Sequence, residues 1–148
     1  MKKSILIFSF AIYFICLIIN IAELFISDFN FETIFLIFLS LLCLTSLYFI
    51  FEKKYLKKAF VFLSIVYFLQ SFSVIFLGLT FKLIIGPDIS LYLVDSSDNL
   101  LRLSTKLFNV FAYFNYVKND NTLALGINFI HLFLFLSFYF GARKIKTN

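Results

Sequence analysis

Four stretches of this chain run for a bilayer's thickness with almost no charge, and this limits the folds open to it more than any other feature. They extend from about Ser4 to Ile26, Thr33 to Phe51, Ala59 to Phe81 and Leu123 to Ala142. A hydrocarbon core ~30 Å thick is crossed by ~20 predominantly apolar helical residues. Lipid offers backbone N–H and C=O groups no partner, so spanning segments are helices or closed barrels. Barrel strands alternate polar and apolar residues, whereas these runs are continuously apolar. The spacing therefore predicts an all-α, polytopic membrane protein with spans at 4–26, 33–51, 59–81 and 123–142, forming a four-helix bundle in one integral-membrane domain, 1–148.

Composition supports the same class. Of 148 residues, 62% are hydrophobic and 14% charged, far from the even balance of a soluble domain. The net charge of +5 does not indicate nucleic acid, because the basic residues sit in short clusters at the ends of apolar runs. Phe is abundant and Trp absent, as an AT-rich bacterial genome would favour among residues that lipid tolerates. The stretch after Lys2 and Lys3 is too long for a cleavable signal and lacks an A-x-A-like site, so it reads as an uncleaved anchor.

Orientation follows from the flanks. Lys2 and Lys3, then Lys53, Lys54, Lys57 and Lys58, then Arg143, Lys144 and Lys146 lie on one side, holding nine of the 13 basic residues. The other side carries Lys82, Arg102, Lys106 and Lys118 among six acidic residues. The positive-inside rule places both termini in the cytoplasm and the protein in a bacterial inner membrane. The external segment, 82–122, opens on the turn signal Gly86-Pro87-Asp88. Ser96-Ser97-Asp98 then offers a helix cap, and Leu100, Leu103, Leu107, Val110 or Phe111, Phe114 and Val117 recur at three- and four-residue steps. That pattern predicts an amphipathic helix from Asp98 to Val117, lying in the outer interface or over the bundle, followed by a polar hinge at Lys118-Asn119-Asp120-Asn121.

Chemistry is sparse. One His and two Cys exclude a disulfide framework and any metal spacing, and Cys16 and Cys43 read as small apolar residues inside spans. No nucleophile elbow or phosphate-cradling glycine loop occurs, so no catalytic, cofactor or metal residues are assigned and no enzyme activity is expected. The candidate site is an intramembrane polar cluster: Asn20 and Glu23 on the first span, Asn128 and His131 on the fourth, with Gln70 on the third as a possible neighbour. Such residues normally face a bundle interior or a water-filled cavity, or act as interhelical hydrogen-bonding glue. Each pair is three residues apart and so shares a helix face. At ~1.5 Å per residue the two pairs fall at similar depth, which predicts neighbouring helices and a coupled Glu23–His131 titration.

The expected function is that of a small multi-pass inner-membrane protein acting through protein contacts, as an immunity, defence or membrane-complex component. The alternative is an oligomeric ion or proton channel, or small transporter, using the Glu23 and His131 region. The expected partners are the lipid bilayer and a membrane protein or further copies of the chain, with no nucleic acid.

Overall fold

The computed structural model describes residues 2–26, 30–95, 100–116 and 123–145. In chain order they form α1 (Lys3–Ile26), α2 (Phe31–Phe51), α3 (Leu56–Ser71), β1 (Phe72–Phe76), β2 (Leu79–Val94), β3 (Leu101–Tyr116), β4 (Ala124–Asn128) and α4 (Phe129–Lys144). Contacts divide them into two units. The first comprises Met1–Val66 and Leu134–Asn148, the second Tyr67–Phe133.

The first unit is helical. In α1 the buried residues Ser9, Ile12, Tyr13, Cys16 and Asn20 form one stripe, and in α2 they are Thr33, Leu36, Ser40, Cys43, Leu47 and Ile50 at alternating steps of three and four. Small residues at such a seam let helix backbones approach closely, and Ser40 Oγ donates to Cys16 Sγ at 3.3 Å across it. Both cysteines are free and buried. Asn30 caps α2, its side chain accepting from Glu32 N. Phe60 of α3 and Phe138 of α4 pack with ring centroids 5.8 Å apart. Within their most apolar windows, α1 and α2 bury only 28% and 33% of their residues, and both are long and apolar enough to cross a membrane.

The second unit overturns the all-α, four-span reading, because the segment between α3 and α4 is a four-stranded antiparallel sheet. Neither the third nor the fourth apolar run is helical throughout. The run 59–81 leaves the helix at Ser71, where Phe72-Ser73-Val74-Ile75-Phe76 favours a strand. Leu77 and Gly78, at φ 48° and 83°, then reverse the chain in a two-residue hairpin of the primed type. The run 123–142 begins as β4 and becomes helical only at Phe129. Among the described residues only α1 and α2 pass the length and composition test for a span. With 16 residues each, α3 and α4 reach about 24 Å, short of the ~30 Å core. The amphipathic helix expected over 98–117 is instead strand β3 in its described part, and the expected cap at 96–98 and hinge at 118–121 lie outside the described residues.

The strand order is β1-β4-β2-β3, with β1 also paired to β2. β3 lines one edge of β2 along its whole length, from Leu79↔Tyr116 to Leu93↔Leu101. On the other edge β1 takes the first four residues, ending at Lys82↔Ser73, and β4 takes the last five, from Ser90↔Asn128 to Val94↔Ala124. Since β1 and β4 also pair with each other, β2 has to bend between them. The bend falls at Gly86 (φ 116°) and Pro87. The register slips there: Gly86 pairs with Asn109 and Asp88 with Lys106, so Pro87 faces two residues, Leu107 and Phe108. Glycine, proline and a bulge at a sharp bend are what the missing N–H and the extra twist call for.

In β4, Ala124, Gly126 and Asn128 are buried and alternate with Leu125 and Ile127. A Cβ added at Gly126 would collide with Ser73 Oγ and the Tyr92 ring. Gly126→Ala should therefore lower stability by about 1–3 kcal/mol through overpacking, read as a lower melting temperature in detergent. Leu125→Ala, on the opposite face, should change it much less.

Candidate functional site: a buried carboxylate at the bend of β2

Between the β1 and β4 pairings, residues 83–89 of β2 have no strand on that edge among the described residues. Buried carbonyls left without a ladder need other donors, and side chains supply them. His131 Nε2 lies 3.0 Å from the Ile85 carbonyl, and Asn128 Nδ2 lies 3.3 Å from the Pro87 carbonyl. A ring nitrogen facing a carbonyl must carry the proton, which fixes His131 as the Nε2–H tautomer. Its Nδ1 is buried and has no hydrogen-bond partner among the described residues.

Asp88, fully buried, sits just past the bend. Its Oδ1 accepts from Ser90 Oγ and from Asn128 Nδ2 at 3.2 Å. Its Oδ2 accepts from Asn109 Nδ2 at 3.3 Å and faces Lys82 Nζ at 3.9 Å. The Lys82 ammonium also lies 5.2 Å from the Tyr92 ring centroid and 5.9 Å from that of Phe111, close enough for cation–π attraction. A carboxylate removed from water is tolerable only when paired and hydrogen-bonded in this way. Asn128 joins the network to α4: its Oδ1 accepts from Ile130 N at 3.0 Å and His131 N at 3.2 Å, capping the helix. One side chain thus ends β4, starts α4 and holds Asp88.

Chemically the arrangement is a positioning network. Ser90 Oγ–H donates a hydrogen bond to Asp88 and His131 Nε2–H donates one to the Ile85 carbonyl, so these bonds do not link Asp88, Ser90 and His131 in one chain. No group of three His, Cys, Asp or Glu side chains suited to a metal occurs among the described residues. Burial lowers the His131 pKa from its ordinary 6.5, opposed by the Ile85 bond and the charge of Asp88.

The residues singled out from sequence divide between the units. Asn20 is buried on α1, where its Nδ2 donates to the Cys16 carbonyl at 2.7 Å and its Oδ1 has no partner among the described residues. Glu23, near the end of α1, is exposed. Gln70, Asn128 and His131 are all buried in the second unit. Sequence reasoning found Asn128 and His131 as polar residues in an apolar run. It missed Asp88, Ser90, Asn109 and Lys82, assigning all four to an external segment.

Asn128→Ala removes a cap worth ~1 kcal/mol and a hydrogen bond to a charged group worth ~1.5–3 kcal/mol. It should destabilise the second unit by about 2–4 kcal/mol in denaturant melts. The His131 shift has a definite sign. A histidine whose folded pKa lies below its unfolded value stabilises the fold fully above pH 6.5, and this contribution is lost as pH falls toward the folded pKa. Stability of the wild type relative to His131→Gln should therefore decline below that pH. Comparison with known proteins found no matching family model, no matching curated protein and no matching solved structure.

Proposed function

We propose that this is a membrane-anchored, non-enzymatic protein of a bacterial inner membrane that acts through protein contacts, in the manner of an immunity, defence or complex-assembly component. α1 and α2 are the anchor, and the sheet unit makes the contacts. The observation that carries this reading is the free edge of β3. This 16-residue strand pairs with β2 on one side and with no described strand on the other. Such an edge is a template for an added strand. Arg102 and Lys106 are its only formal charges, so charge complementarity favours an incoming strand with acidic side chains beside them.

Two measurements test the reading. Photoreactive residues placed on β3 at Ser104, Asn115 and Tyr116 should form discrete protein adducts in intact membranes, whereas one at Phe14 of α1 should label lipid. Absence of any protein adduct along β3, together with ion flux by purified protein in liposomes, would overturn it in favour of an ion pathway. For the anchor, Lys2 and Lys3 and the cluster at 53–58 flank α1 and α2 on one side, which the positive-inside rule makes cytoplasmic. A cysteine at Glu32 should react with an impermeant reagent in intact cells and one at Lys54 should not. The native Cys16 and Cys43 are buried and should give little background.

A further inference from the structure

The sheet is inverted with respect to polarity. Side chains alternate between the faces of a strand. In the distal half of β2, Asp88 and Ser90 turn to the buried side while Ile89, Leu91 and Leu93 turn outward. On β3 the pairing continues these faces: Leu103 and Leu101 lie opposite Leu91 and Leu93 on the outward face, and half-buried Ser104 and exposed Arg102 lie opposite Ser90 and Tyr92 on the other. β4 continues the outer face with Leu125 and Ile127, which pair with Leu93 and Leu91. Leu93, Leu101 and Leu103 are 52%, 61% and 66% exposed, whereas Asp88 is 0% exposed. A sheet folded against water would place these residues the other way round.

We propose that this outward face of β2, β3 and β4 lies against the acyl chains of the bilayer. The proposal rests on the membrane anchorage argued above and adds a second lipid contact, made by the sheet. Among the described residues of this face the one side-chain hydrogen-bonding group is the hydroxyl of Thr105, opposite Ile89. Hydrocarbon therefore covers the face at the expense of that one hydroxyl, with the unpaired backbone edge of β3 kept at the headgroup level or taken up by an added strand. The pattern of apolar residues out and polar residues in is the one that strands adopt in lipid. The chain already carries two helices that leave most of their apolar surface uncovered, so acyl chains are the apolar medium at hand.

The chain contains no Trp, so one substitution at a time installs a single fluorophore in the full-length protein. Leu93→Trp, Leu101→Trp and Leu103→Trp, with Arg102→Trp and Ser104→Trp as the inward set, are reconstituted in phosphatidylcholine–phosphatidylglycerol vesicles. The outward set should emit at shorter wavelength. Brominated acyl chains should quench it several-fold more than iodide does, with that ratio several-fold smaller for the inward set. Three outward sites keep the test decisive if one variant fails to fold. Strong iodide quenching at Leu101 and Leu103 would overturn the proposal, and so would protection from both quenchers, which would indicate a protein cover such as a second copy. Flotation of wild-type protein with the vesicles separates the two ideas. Failure to float removes the anchor reading, whereas flotation with water-accessible Leu101 and Leu103 removes only the lipid-facing sheet.

Discussion

The sheet unit depends on how β2 satisfies its backbone where neither β1 nor β4 reaches it. A strand bent back so that both ends of one edge find partners leaves its middle bare, and a bare buried carbonyl costs as much as a lost hydrogen bond. His131 and Asn128 remove that cost at Ile85 and Pro87. They do so from the start of α4, so the helix and the bend cannot form independently. Asp88 extends the arrangement by gathering Ser90, Asn109, Asn128 and Lys82 around one charge. Partly satisfied, such a network would be worse than an apolar core.

Legibility in the sequence followed the physics of each segment. α1 and α2 were readable because long, continuous apolarity favours an apolar helix, and the structure places them at nearly the expected bounds. The third and fourth runs are as continuously apolar, yet each is part strand. In the third run, Phe72-Ser73-Val74-Ile75-Phe76 is as apolar as a helix but richer in residues that favour a pleated surface. In the segment 98–117, the spacing of Leu100, Leu103 and Leu107 fits a helix, yet Leu101-Arg102-Leu103-Ser104 alternates with period two. Asp88-Ile89-Ser90-Leu91 alternates likewise. That second period was the signal for the strands, and it was masked by a composition in which almost any spacing collects apolar residues.

Part of the candidate site was legible for a related reason. Asn128 and His131 stood out because polar residues are rare in that run. Asp88 and Lys82 did not, since a segment assumed to face water is expected to hold charges. The burial of Asp88 beside Lys82 depends on the closed pairing of β1, β2 and β4, which is long-range information that local pattern does not carry.

The junction between β4 and α4 contains no linker: Asn128 is the last strand residue and Phe129 the first helical one. Strand register and helix rotation are therefore geared together. An α-helix turns by about 100° per residue, so a single residue inserted after Asn128 would swing His131 away from Ile85 by more than a quarter turn. Sliding β4 by one position along β2 would put Asn128 on the outward, leucine-bearing face and uncap the helix. This tight coupling makes the junction the part of the fold least able to absorb a change in chain length, although it lies in one of its most apolar stretches.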